Sequence, residues 1–373
     1  MDMALPPPAR VGANADAVDT PALLLDLDAF EANVAAMAEF ARGAGVRLRP
    51  HAKSHKCPPI ALAQIAAGAV GICCQKVSEA EAMVAGGVAD VMVSNEIVGA
   101  PKLARLAALA GRARVSVCVD DAENVLALDQ AARNAGTLLE VLVEIDVGAH
   151  RCGVEPGGPA ALLAQVVAAC GNLRFAGLHA YHGAAQHLRT VGERSAAIAR
   201  AAADAQITRD LIEQAGLDCP LITGAGTGTF VFEAASRVYT EIQPGSYIFM
   251  DADYGRNSWE GMPVFAQSLF LLATVMSAPT ADRAVVDVGL KAHSVDSGMP
   301  LVHDRPGLAY ASASDEHGVI AVAPDARRPL LGEKLRLVPG HCDPTVNLHD
   351  WIVGVRGGVV EAVWPVAARG AFY

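Results

Sequence analysis

An α/β fold, a (β/α)8 barrel of the TIM type followed by a second, mostly β C-terminal domain, is what the sequence predicts, on three observations. Between Pro21 and about Gly245, short β-branched runs alternate with alanine-rich stretches of helical period, the pattern of βα units around a parallel sheet. Eight such runs follow one another, and continuous apolar strands separated by helices over this length suit a closed barrel better than an open sheet. Past about Gly255 the helical period gives way to strands joined by turns.

Taken in order, the first helix starts at the capping-box spacing of Asp28 and Glu31, carries Phe30, Val34 and Met37 on one face and ends at Gly43. Barrel strands are then expected at 46–50, 70–74, 91–94, 115–120, 139–146, 175–181, 220–224 and 239–243. The apolar run 22–27 precedes this count and is free to pair elsewhere. In the second domain, strands are expected at 265–278, 284–288, 308–313, 319–322, 335–338 and 353–363, with 251–262 as the crossing segment.

Composition narrows the function. The 373 residues are 52% hydrophobic and 18% charged, too apolar for a disordered chain. A formal charge of −11 with no basic run argues against a nucleic-acid partner. The uncharged window 57–75 is broken by Pro58, Pro59, Gly68 and Gly71, so no membrane span is expected there, and residues 1–10 lack the pattern of a signal peptide. Eight cysteines without a CxxC spacing read as reduced thiols, which places the protein in the cytoplasm.

In a parallel barrel the chemistry sits where strands end. The first strand closes on Arg49-Pro50-His51-Ala52-Lys53-Ser54-His55-Lys56. Cationic neighbours there would lower the pKa of Lys53 and sharpen it as a nucleophile, although a solvated basic loop fits the same residues. Two glycine-bearing turns close later strands: Gly226, Thr227, Gly228 and Thr229, and Gly245, Ser246 and Tyr247. Backbone N–H groups and hydroxyls in such turns suit a phosphate. Facing a lysine, they point to pyridoxal phosphate held as a lysine Schiff base.

The segments 49–56, Asp146-Val147-Gly148-Ala149-His150-Arg151-Cys152-Gly153, His179-Ala180-Tyr181-His182-Gly183 and Gly340-His341-Cys342-Asp343-Pro344-Thr345 together resemble the D-threonine aldolase family. These are alanine-racemase-like, fold type III pyridoxal phosphate enzymes related to D-serine dehydratases. The resemblance implies a barrel over 28–255 and a β domain formed by 1–27 and 256–373. It makes Lys53 the Schiff-base lysine, sends Arg151 to the ring hydroxyl side of the cofactor, and sets Gln75 and Tyr181 along the ring. The residues alone leave other roles open: Gln75 bonding a loop backbone, Tyr181 as a half-buried barrel aromatic, Arg151 paired with Asp146 or Glu144.

His341 and Asp343 stand two apart, so on an extended strand end they would point the same way and share one ion. The resemblance implies a divalent cation there, Mn2+ first, with Mg2+ or Co2+ able to replace it. A carboxylate at the second position, where the dehydratase branch has cysteine, favours retro-aldol cleavage of D-threonine and other D-3-hydroxy amino acids to glycine and an aldehyde. The alternative is a D-serine or D-threo-3-hydroxyaspartate dehydratase. His187 matches the family's general base, and an exposed loop histidine is its plainer reading. His293 and His317 are expected to shape a wall or a subunit contact, and Tyr254 and Trp259 to pack the crossover. The fold type implies a homodimer.

Overall fold

The computed structural model describes residues 6–373, so residues 1–5 of the expected β-domain segment lie outside it. The first strand, β1 (Ala22–Asp26), is apolar and does not join the barrel. The barrel strands are β2 (Arg47–Leu48), β3 (Ile72–Cys74), β4 (Asp90–Glu96), β5 (Arg114–Val119), β6 (Leu139–Glu144), β7 (Leu173–His179), β8 (Leu221–Gly224) and β9 (Glu241–Ile242). All pairings among them are parallel, in the order β2-β9-β8-β7-β6-β5-β4-β3. The two ends meet: His51 bridges Cys73, Val70 N donates to Leu48 O at 2.9 Å, and Cys73 N donates to Pro50 O at 2.8 Å. Each of the eight expected strands is present, most of them shorter than or offset from their apolar runs.

Period-two alternation divides the strands' side chains between two layers. Val91, Val93, Val117, Val141 and Val143 pack outward against helices, while Cys73, Met92, Cys118, Leu142 and Leu221 fill the barrel interior. All eight cysteines are free thiols and six are buried, which accounts for them as small apolar residues. Among the described residues, no helix is long and apolar enough to cross a membrane.

The second sheet contains β1 with β10 (Leu269–Ser277), β11 (Arg283–Val286), β12 (Leu301–Val302), β13 (Leu308–Ala313), β14 (Gly318–Val322), β15 (Lys334–Val338), β16 (Trp351–Arg356) and β17 (Val359–Pro365). Here β1 runs antiparallel to β10 and parallel to β16. The run 353–363, expected as one strand, is a hairpin. Gly357 and Gly358 both take positive φ (55° and 80°), the requirement of a two-residue turn. The two-residue strand β12 and a short helix Cys342–Val346 were not anticipated.

The first helix, α1 (Leu27–Ala44), is capped two residues earlier than its sequence suggests. The Asp26 side chain accepts from Ala29 N at 3.0 Å, and Gly45 in the left-handed region, not Gly43, ends the helix. Asp28 and Glu31 instead receive Arg356 of β16. On the buried face, Asn33 donates to Ala266 O at 2.8 Å and accepts from Ala266 N at 2.9 Å, fastening α1 to the stretch that leads into β10. Leu23, Phe30, Met37, Phe249, Leu271 and Val286 share the core that joins barrel and sheet.

Candidate active site

A cavity of about 400 Å3 opens at the C-terminal ends of the barrel strands, the end where barrel enzymes place their chemistry. Its walls carry Lys53, Arg151, His51, His179 and His187, and no aspartate or glutamate lines it among the described residues. That lining suits an anionic ligand of cofactor size.

Lys53 sits in the turn Ala52–Ser54 that follows β2. Its Nζ lies 2.5 Å from Asp343 Oδ2. This reverses one expectation. Burial would lower the lysine pKa, but the adjacent carboxylate outweighs it and holds the ammonium well above its usual range, while Lys53 and His341 together outweigh burial and depress Asp343. The neighbours expected to lower it are occupied or neutral. Arg49 is buried in the barrel on Glu241 (3.0 Å) and Asp90 (2.6 Å), and Lys56 donates to Asn347 at 2.9 Å. Burial drives His51 far below its usual pKa and His55 to about 4, so neither ring is cationic near neutrality.

His51 Nδ1 accepts from Lys53 N at 3.2 Å, and its Nε2 lies 3.0 Å from Gln75 Nε2. Gln75 therefore lines the cavity and also bonds a backbone, donating to Ser94 O at 3.2 Å. Tyr181 and Arg151 line the opposite wall, with the guanidinium 5.8 Å from the ring centroid. Neither acid weighed as a partner for Arg151 pairs with it: Asp146 is taken by His150 at 2.9 Å, and Glu144 lies 3.0 Å from His179.

The two turns divide into a cavity side and a supporting side. Gly226, Thr227, Gly245 and Ser246 face the cavity. Gly228, Thr229 and Tyr247, expected beside them, are turned to other partners. Gly228 N donates to Gln186 Oε1 at 2.9 Å, Thr229 Oγ1 donates to Glu233 at 2.7 Å, and Tyr247 is buried with its hydroxyl accepting from Gln64 at 2.9 Å. Tyr247 N still serves the site by donating to Thr227 Oγ1 at 3.0 Å, which leaves the Thr227 proton free to be given to an anion.

His341 and Asp343 do not lie on an extended strand. His341 is the N-cap of the helix Cys342–Val346, and Asp343 is in its first turn. His341 Nδ1 lies 2.7 Å from Asp296 Oδ2, while Asp343 holds the Lys53 ammonium and lies 3.4 Å from Ser246 Oγ. A cation already rests on Asp343, and an imidazole with its Nδ1 fixed has Nε2 left as a donor, so the pair fits a divalent ion.

His187 ends the turn Gly183–His187 and reaches the cavity, with Nδ1 2.5 Å from Asp253 Oδ2. Tyr254 lines the cavity as well, so it is more than a crossover packing residue. Trp259 donates its indole N–H to Tyr254 O at 3.1 Å and does pack. His293 is buried in the β domain, 3.0 Å from the Tyr310 hydroxyl, and His317 is exposed; neither lines the cavity.

Sequence reasoning gave no site role to His51, Ser94, His179 and Gln243 on the cavity wall, although each lies in or shortly after the C-terminal part of a barrel strand. It also missed two three-residue groups of ligand type, Cys118–Glu144–His179 and Glu96–Asp120–Cys152, neither of which includes His341 or Asp343. Burial, with Glu144 and Asp120 close by, pushes Glu96 up to about 7. Four members, Glu96, Asp120, Glu144 and His179, close or directly follow strands, so reading every strand end for acids and histidines would have found them.

Residues 25–253 match the alanine racemase N-terminal domain family, and residues 268–355 match a serine dehydratase domain. The chain is 53% identical over 368 residues to a D-threonine aldolase of an Arthrobacter species, covering 99% of this chain and 97% of that one. It is 47% identical over 373 residues to a 3-hydroxy-D-aspartate aldolase of Paracoccus denitrificans strain Pd 1222, covering 98% and 96%. The crystal structure of D-threonine aldolase from Filomicrobium marinum has the same fold at a TM-score of 0.97 and 52% identity, covering 99% of this chain and all of that one (100%). With a fold, a cavity and a full-length likeness in agreement, the chain belongs to the D-threonine aldolase family, on the alanine-racemase-like fold of pyridoxal phosphate enzymes.

Proposed function

We propose that this chain is a lyase that uses pyridoxal phosphate and a divalent cation to cleave D-threonine and other D-3-hydroxy amino acids to glycine and an aldehyde. The approach of Lys53 Nζ to Asp343 Oδ2, 2.5 Å, carries the reading. It brings the amine that would bear the cofactor and an oxygen that would hold the ion to one place beside a cavity that no aspartate or glutamate lines among the described residues. The bound cofactor supplies a sink for the electron pair left on Cα when the Cα–Cβ bond breaks.

The chain's own residues do the rest. Backbone N–H groups of Gly226, Thr227, Gly245 and Ser246, with the two hydroxyls, would hold the phosphate. Gly228, Thr229 and Tyr247 brace those turns. Arg151, Tyr181 and Gln75 would flank the ring. His341 and Asp343 would hold the ion, and a mixed nitrogen and oxygen donor set favours Mn2+, with Mg2+ or Co2+ as substitutes. His187 would take the β-hydroxyl proton, an imidazole being the side chain suited to that transfer near neutral pH. We read 28–255 as the catalytic barrel, 1–27 and 256–373 as the β domain, and the working form as a cytoplasmic homodimer; eight unpaired thiols suit a reducing compartment.

Incubation of the protein, supplied with pyridoxal phosphate and Mn2+, with D-threonine tests the reading. Glycine and acetaldehyde are the expected products. Formation of 2-oxobutanoate and ammonia would make the protein a dehydratase instead.

A further inference from the structure

We infer that Asp253 is a positioning residue for the proton transfer proposed above: it fixes His187 with a proton on Nδ1 and leaves Nε2 as the atom that receives the β-hydroxyl proton. The inference rests on that functional reading and adds to it a residue from outside the cavity wall.

The contact is 2.5 Å from His187 Nδ1 to Asp253 Oδ2. Asp253 is 4% exposed and also receives Arg189 Nη2 at 2.6 Å and Arg256 Nη2 at 2.5 Å on its other oxygen. Burial alone would favour the neutral acid, but the two arginines and His187 outweigh it and hold the group at about 2, ionised throughout the neutral range. An ionised carboxylate only accepts hydrogen bonds, so the proton between the two residues belongs to Nδ1, and in the neutral ring the lone pair then sits on Nε2. The guanidinium groups also offset the carboxylate charge, so orientation is imposed without an uncompensated anion beside the ring.

The anchoring is long-range. The His187 side chain is 48% exposed, at the end of a loop turn, where its own backbone gives it little restraint. Asp253 belongs to the short helix Ala252–Gly255 in the domain crossing, and its backbone N–H donates to Gly340 O at 3.2 Å, immediately before His341. Further bonds bind the two segments: Arg189 to Asp253 O at 2.8 Å and to Asn257 Oδ1 at 2.7 Å, and Asn257 Nδ2 to Gln186 O at 2.9 Å. Tyr254 packs against the imidazole with ring centroids 6.1 Å apart. The base is thus referenced to the segment that leads to the ion pair rather than to its own loop.

In the step served, the β-hydroxyl O–H bond breaks as an Nε2–H bond forms. The oxygen electron pair becomes the second bond of the aldehyde carbonyl, and the Cα–Cβ pair passes to Cα. An imidazole protonated on Nε2 instead has its lone pair on Nδ1, and Nε2 cannot begin this step.

The test uses the full chain loaded with pyridoxal phosphate and Mn2+. Asp253→Asn can both donate to and accept from the ring, so it no longer selects a tautomer; kcat should fall by at least about tenfold with KM within about twofold. Asp253→Glu should recover part of the loss. In a His187→Asn background the Asp253→Asn change should have no further effect, because the aspartate acts through the histidine. An equal loss in both backgrounds, or wild-type kcat in Asp253→Asn, would overturn the inference. A second measurement does not depend on that variant folding. In 15N-histidine-labelled wild-type protein, with the His187 signal assigned by its absence in His187→Asn, the neutral ring should be the Nδ1–H tautomer, and an Nε2–H tautomer would overturn the inference. Full activity in His187→Asn would remove both the base and its positioner, yet the functional reading would survive as long as the wild type yields glycine and acetaldehyde.

Discussion

The side chain of Gln186 lies directly beneath Gly226: a Cβ added at that glycine would sit 2.5 Å from Gln186 Oε1. The amide has nowhere to retreat, because it also accepts from Gly228 N and donates to Thr229 Oγ1 at 2.8 Å. Gly226→Ala should therefore lift the turn off its support and weaken pyridoxal phosphate binding by about tenfold or more, roughly 1.4 kcal/mol. Gly192→Ala, where a Cβ meets nothing within 4 Å, is the control. An absorbance titration of cofactor-free protein measures both, and equal affinities would remove the turn from the phosphate site.

Lys53→Ala should leave protein that folds but, after dialysis against pyridoxal phosphate, shows none of the visible absorbance of a covalently held cofactor and forms no glycine from D-threonine. Lys53→Arg is the sharper variant, since it keeps a cation on Asp343 and lacks an amine able to form an imine. A retained visible band in either protein would reassign the covalent attachment.

Chelation should abolish turnover, and Mn2+ should restore it in the wild type but not in Asp343→Asn. Asp296 offers a finer check through its 2.7 Å contact with His341 Nδ1. Removing a carboxylate that orients a ligating imidazole weakens ion binding by roughly 10- to 100-fold, so Asp296→Ala should do so in a calorimetric titration with Mn2+. Unchanged affinity would place the ion elsewhere.

Glu233 gives the stability a pH dependence of known sign. The residue is 1% exposed, and burial pushes its carboxyl up to about 7 against the hydrogen bond from Thr229. The folded pKa is above the unfolded one, so this group's contribution is complete below about 4.5 and is lost as pH rises through about 7, a change on the order of 3 kcal/mol. The thermal midpoint of the wild type should fall between pH 4.5 and 7.5 more steeply than that of Glu233→Gln. Parallel curves would show that Glu233 does not carry the effect.

Much of the fold was legible because apolar strands alternate with helices, a pattern set by local chemistry. What failed locally failed where two similar signals compete. Asp26 and Asp28 are equally good caps, and only Arg356, brought in from a distant hairpin, draws Asp28 away. The Gly357–Gly358 turn was written in the sequence but hidden inside a valine-rich run. At the site, motifs identified Lys53, Arg151, Tyr181 and His187 as residues that reach one cavity. The charge around Lys53 was not legible, since Arg49 and Lys53 are neighbours in sequence but face opposite ways, and Asp343 arrives from the other domain.

The position of β1 bears on how the molecule is made. Leu23, Leu24 and Leu25 leave the ribosome before any barrel strand, yet they pair with Leu269, Phe270 and Leu271 on one side and Ile352, Val353 and Gly354 on the other. During translation the barrel can close while this greasy segment waits without neighbours, exposed to capture by chaperones or by other nascent chains. The hairpin β16–β17, which follows the whole barrel in the chain, thus completes a sheet in which β1, which precedes the barrel, lies between β10 and β16.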